Sequence, residues 1–363
     1  MTDKPLRFHW SLSQAGDNFR ASRDFNELKG LFSLQAQLEL CLKAEENGID
    51  SMLMAIGYTR PDPLLLTVAL GKKTKRIKFL VAVRSGLITP AYFVQQINTA
   101  STLIGDRIYI NVVKGHTPSE LKYYGDFEEK FERNERTKEF VTVCNAFWKR
   151  DKPVNYKGKY YQVENGIIET PYNSKRGRPE VYISGNSEDA VELVSEQGDC
   201  LWRFPDAPET LKPKIEKVIS SGKEAGLLTS IIARETQEEA EQVAKDLLNN
   251  FTKSTKDNHK SYNNRFDSQG FKEILDSAFT ANSNWITPNL WNGAVPYMGA
   301  PAIALVGSYE AIAKALLTYK KIGVTQFLFI GWPDILEIEH FGKGVLPLVR
   351  KMETQKEFES TIV

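Results

Sequence analysis

Short apolar runs of strand length alternate along the chain with stretches whose apolar residues recur every three or four positions. Such alternation predicts repeated strand-helix units and a parallel sheet, because a strand buries alternate residues and a helix buries one stripe. Eight runs predict strands: Leu6–Leu12, Ser51–Ile56, Lys78–Val83, Arg107–Val113, Glu180–Ser184, Cys200–Phe204, Leu227–Ala233 and Gln326–Ile330. Between them the spacing predicts helices over Leu34–Asn47, Ala91–Ile104, Arg136–Trp148, Glu188–Glu196, Pro208–Ala225, Gln237–Asn249, Tyr309–Ile322 and Ile335–Met352. Eight of each point to a closed (β/α)8 TIM barrel. Gly48 and Gly323 fall where a left-handed helix end fits, and Thr236 with Glu239 forms a capping box.

Two segments break this rhythm. Residues 151–178 contain Val154–Val163, which alternates around Gly158 and predicts a β-hairpin. Residues 251–300 are polar and then tryptophan-rich, too long for a plain loop, and predict a lid or extra helices over the C-terminal end of the barrel. Residues 1–363 are therefore expected to form a single barrel domain with insertions at about 151–178 and 251–300.

Composition narrows the function by exclusion. The 47 basic and 46 acidic side chains nearly cancel, so no charge excess suits nucleic acid. The apolar runs fall far short of the ~20 residues that cross a bilayer, and the start lacks a signal-peptide pattern, so a cytoplasmic protein is expected. Three scattered cysteines argue against a disulfide framework, and four histidines without ligand spacing argue against a metal site. No GxGxxG follows a strand, Leu66 occupies the place of the first glycine of a P-loop, and no hydrolase elbow is present.

At this point several blocks, in order, resemble the bacterial luciferase-like flavin monooxygenases, nearest to their alkanesulfonate monooxygenase branch. They are Gly48–Met54, Arg76–Arg84, Asn111–Leu121, Glu132–Glu135, Ser184–Ser187, Ile232–Thr236, Thr287–Trp291, Ala304–Gly307 and Gly331–Pro333. The resemblance implies a luciferase-like barrel that takes reduced FMN (FMNH2) from a separate NAD(P)H:flavin reductase and uses O2 to form a flavin peroxide. It also implies a homodimer or homotetramer. Two alternatives stay open: a deazaflavin (F420)-dependent oxidoreductase, and a non-catalytic flavin-binding protein.

For the cofactor, Ser184, Gly185, Asn186 and Ser187 follow a predicted strand and open a helix, where backbone N–H groups face an anion; a plain N-cap serine is the other reading. Asn111 ends the fourth strand and is read either as a flavin or peroxide contact or as a turn residue. Arg84 ends the third and is read as a flavin or substrate contact or as a solvated arginine. Ala55 and Asn134 complete the cofactor set that the resemblance implies.

Where the alkanesulfonate enzymes carry substrate-side polar groups, this chain differs. Arg60 stands at the cysteine position, Leu228 and Ser230 replace an arginine and a histidine, Met298 replaces an arginine, Trp332 a tyrosine, and Asn134 a tyrosine. Methionine and leucine cannot supply the bidentate bonds by which arginine grips a sulfonate. A simple alkanesulfonate is therefore not the expected substrate; Trp10, Trp202 and Tyr297 join these residues in an expected apolar pocket. Arg60 is read as a site charge or as a surface ion-pairing residue, and Lys114 and His116 as proton-transfer groups or a solvated loop. The expected catalytic set is Asn111, Arg60, His116 and Trp332.

Overall fold

The computed structural model describes residues 4–12, 33–58, 60–251, 267–280 and 283–354. Eight parallel strands close a barrel: β1 (Arg7–Ser11), β2 (Ser51–Met54), β3 (Lys78–Arg84), β4 (Ile108–Val113), β7 (Glu180–Ser184), β8 (Cys200–Arg203), β9 (Glu224–Arg234) and β12 (Val324–Ile330). Closure is complete because β8 pairs with β9, β9 with β12, and β12 with β1, where His9 lies opposite Leu328 on one side and Ser51 on the other. All eight strands are those the apolar runs predict. The hairpin is also present, as β5 (Val154–Lys157) and β6 (Gln162–Gly166) around Gly158.

The apolar pattern passed over two strands and the helices Pro63–Gly71 and Pro118–Tyr123. Strand β11 (Ala304–Ser308) pairs in parallel with the far half of β9, from Ala304 opposite Ser230 to Ser308 opposite Arg234, and β10 (Leu290–Trp291) runs antiparallel to it. A short run with small residues at Ala304 and Gly307 carries too little strand signal by itself. The helix Lys130–Lys149 begins six residues before its predicted start, because Lys130–Glu135 is polar apart from an exposed Phe131. The single predicted helix at Ile335–Met352 is instead Asp334–His340 and Leu346–Thr354 joined by one wider π turn. The boundary residues do behave as expected: Gly48 and Gly323 have φ of 77° and 104°, and Thr236 and Glu239 cap reciprocally.

Strand alternation divides the core in two. On β1, Phe8 and Trp10 face outward under the helices, with Phe8 against Phe327, Phe329 and Phe341. Leu80, Tyr109, Tyr182, Cys200, Trp202 and Leu328 pack together inside the barrel. Tyr182 and Trp202 stack at 5.5 Å, and the edge of His9 meets Trp202 at 5.3 Å.

The lower interior is polar and fully engaged. His9 bonds Ser51 and Gln326 through its two ring nitrogens, and Arg7 spans Glu180 and Glu224 at 2.8 and 3.1 Å. Burial, reinforced by Arg7, lowers the His9 pKa to about 3, so the ring stays neutral. At Glu224 burial acts to raise the pKa but is outweighed by Arg7 and by bonds from Gln326, Lys4 and Thr325, leaving it at about 2. Because this folded value lies below the unfolded one near 4.5, the stabilisation is present above pH 4.5 and is lost as pH falls toward 2. Glu224→Gln is expected to cost on the order of 2 kcal/mol at neutral pH, with the difference shrinking through that window. Urea unfolding at stepped pH measures it, and a pH-independent difference would contradict the assignment.

Candidate active site at the C-terminal mouth of the barrel

Three strand ends and two helices enclose a cavity of about 170 Å³. From β4 come Val113, Lys114, Gly115 and His116; from β7 the loop Ser184–Ser187; and from β8 Trp202, Arg203 and Phe204. The helix Lys130–Lys149 contributes Lys130, Arg133 and Asn134, and the helix Gln269–Thr280 covers the cavity with Gln269, Gly270 and Phe271. This is the end of a parallel barrel where strand-to-helix loops converge, and where barrel enzymes place their chemistry.

The lining is rich in cations and donors. Burial lowers the Lys114 pKa to about 8; Asp189 opposes this while Lys138, Lys130 and Arg133 add to it. Arg133, 3% exposed at its side chain, bonds Asp267 through Nη2 and the Glu128 carbonyl through Nη1, and its Nε has no partner. The Trp202 indole N–H is likewise buried without an acceptor. Such orphaned donors cost roughly 1–3 kcal/mol each unless a ligand or water meets them. The loop runs into the helix Glu188–Gln197, whose N-cap Ser187 makes no capping bond with its own side chain. At Gly185 φ is 153°, and a Cβ there would stand 3.1 Å from that of Ala190, so glycine keeps the loop against the helix.

Several predicted residues meet here. Ser184, Gly185, Asn186, Ser187, Asn134, His116, Trp202 and Leu228 all line the cavity. The Ser184 hydroxyl donates to Asn111 Oδ1 at 2.8 Å, tying Asn111 to the same place. His116 is pushed down to about 4 by burial and stacks on Phe271 at 4.7 Å, so at neutral pH it is an uncharged ring and a weak base.

Others lie apart. Arg84 pairs with Glu120 at 2.9 Å at the end of β3, with its Nε and Nη1 unpartnered, and does not line the cavity. Ala55 and Arg60 share a smaller cavity of about 20 Å³ with Leu12 and Gln37, where Arg60 reaches the Leu12 carbonyl at 3.4 Å. The expectation for Trp10 is corrected: strand alternation turns it out of the barrel, where it is fully buried and its indole donates to Asp334 at 2.9 Å. Ser230 is also fully buried and donates to the Pro301 carbonyl at 2.8 Å. Tyr297 stacks on Phe251 at 4.9 Å, and Met298 and Trp332 pack against the outer core, none of them at this cavity. The Trp332 indole N–H is buried without a partner.

Sequence reading missed Lys130, Arg133, Arg203, Asp267 and Phe271. The first two had a signal, since Lys130, Arg133 and Asn134 follow the i, i+3, i+4 spacing of one helix face. Asp267 and Phe271 fall in the 251–300 segment expected to cover the C-terminal end of the barrel, but only the closed fold brings them, and Arg203, to this cavity.

A parallel eight-stranded barrel with a basic, donor-rich cavity at its C-terminal mouth defines a ligand-binding enzyme scaffold. The family model for luciferase-like monooxygenases matches residues 6–326, and the chain belongs to that family. Among solved structures it is similar to an EDTA monooxygenase from Chelativorans sp. BNC1, at TM-score 0.74 and 17% identity, over 97% of this chain and 96% of that one. A long-chain alkane monooxygenase aligns at TM-score 0.75 and 18% identity over 97% and 92%. An F420-dependent secondary alcohol dehydrogenase aligns at TM-score 0.65 and 20% identity over 96% and 100%. No helix among the described residues is long and apolar enough to cross a membrane.

Two outcomes follow from the geometry. Sulfate, whose charge is constant above pH 6, should bind more weakly as pH rises through about 8 and Lys114 loses its proton, and Lys114→Gln should remove that dependence. Isothermal titration at stepped pH decides it; equal slopes in both proteins would refute the role of Lys114. Trp10→Phe should lower stability by about 1–3 kcal/mol through the lost Asp334 bond, with sulfate affinity unchanged. A parallel loss of affinity would return Trp10 to the site.

Proposed function

We propose that the chain is the oxygenase of a two-component system, binding FMNH2 delivered by a separate NAD(P)H:flavin reductase and using O2 to oxygenate a small organic molecule. The observation that carries this reading is the cavity in which Ser184–Ser187, Lys114 and Arg133 converge before a helix N-terminus. Such a set suits the phosphate of a flavin mononucleotide. The residues fit that group: the Arg133 Nε lacks a partner, and Lys114 carries its charge below about pH 8. When bound, reduced flavin supplies the electrons that O2, a triplet, cannot readily take from organic substrates directly.

The chain's own residues then have separable tasks. Ser184–Ser187, Lys114 and Arg133 hold the phosphate end, and Asn111, oriented by Ser184, and Asn134 sit on the cofactor side. Helix Gln269–Thr280 lines the open side of the cavity through Gln269, Gly270 and Phe271 and so stands between the site and solvent before a ligand enters. His116, held neutral by burial, is a weak base at neutral pH, while Lys114 keeps its charge for the phosphate. Trp202 and Leu228 make the inner wall apolar, which supports a substrate other than a simple alkanesulfonate.

Stopped-flow mixing of anaerobic protein and FMNH2 with O2 tests this reading. A transient absorbing between the reduced and oxidised flavin spectra, absent with free FMNH2 and shortened at least about tenfold by Arg133→Gln, is the expected result. Reoxidation at the free-flavin rate, together with tight binding of F420, would replace it with a hydride-transfer function.

A further inference from the structure

The cavity already contains one carboxylate. Asp267 lies two residues before the helix Gln269–Thr280, and its side chain is ion-paired with the buried guanidinium of Arg133. Its backbone N–H donates to the His116 carbonyl at 3.0 Å, which fixes it at the rim. Lys114, Lys130 and the loop Ser184–Ser187 line the same space. An internal anion therefore sits where the surrounding groups are arranged to receive an external one.

Further contacts fasten the same helix over the loop. Asn186 donates to Glu273 at 3.2 Å, and Phe271 stacks on His116 and meets Phe204 edge-on at 5.3 Å. A cavity of about 170 Å³ lies below the range of roughly 300–1,000 Å³ typical of pockets that enclose small-molecule ligands.

We propose that Asp267 is a built-in competitor for the anion subsite: its carboxylate holds Arg133 in the ligand-free chain, and an incoming phosphate monoester takes that guanidinium and releases the start of the covering helix. The inference rests on reading the cavity as a phosphate site. A phosphate monoester carries up to two negative charges and three acceptor oxygens, so it can engage Arg133, Lys114 and the helix N-terminus together, whereas the carboxylate engages Arg133. A phosphate drawn to the same guanidinium is repelled by the Asp267 carboxylate, so phosphate binding and the Arg133–Asp267 pair weaken each other in both directions. A neutral ligand of similar shape lacks the charge to displace Asp267, which makes the residue a discriminator for phosphorylated ligands.

Inorganic phosphate is the probe, titrated calorimetrically into the full chain and into Asp267→Asn and Asp267→Ser, with circular dichroism confirming that each variant is folded. Removing the competitor should tighten phosphate binding by about tenfold in both variants, the scale of a close charge-pair coupling. Saturating phosphate should also speed amide hydrogen exchange in Gln269–Thr280 of the unmodified chain. Unchanged or weaker binding in both variants, with binding lost in Arg133→Gln, would overturn the competitor and leave the phosphate site standing. Folded proteins that all lack saturable phosphate binding would overturn the phosphate site and the competitor with it.

Discussion

The geometry that governs this molecule is the period-two alternation of side chains on parallel strands that close into a ring. Closure gives every inward residue a fixed height and a fixed set of neighbours, so the interior must be filled layer by layer. The lower layer is solved with charge: Arg7 between Glu180 and Glu224, and a neutral His9 between Ser51 and Gln326. Above it Tyr182 stacks on Trp202, with the Tyr109 ring tilted against Tyr182 from below. With both layers engaged, functional groups gather above them at the strand ends, and the cavity opens there.

Burial then sets the electrostatics of the mouth. The same desolvation lowers the pKa of both Lys114 and His116, with different consequences. Lysine starts so high that it arrives at about 8 and stays charged near neutrality, while histidine arrives near 4 and loses its charge. The mouth thus holds a cation suited to an anion beside an aromatic ring suited to packing. Relatives at 16–20% identity share the backbone that sets up this arrangement, but the chemistry of each member is decided by the side chains placed on it.

The barrel was legible in the sequence because each strand buries a short apolar run that local periodicity exposes. Strand β11 was not, since Ala304–Ser308 is held by pairing with the far half of β9, a contact distant in sequence. The loop Ser184–Ser187 was legible for a related reason: a strand, a glycine and a helix start are all local features, and local features are what a one-dimensional pattern records.

The sequence by itself determined the class of fold, the family and the loop before the helix Glu188–Gln197. Only the tertiary structure decided which side chains share a space. It turned Trp10 out of the barrel, separated Ala55 and Arg60 into their own small cavity, and brought Arg133, Asp267 and Phe271 onto the loop from positions far along the chain. The reason is physical: facing follows from strand register and closure, and proximity between distant residues follows from packing, neither of which is written in the spacing of apolar positions.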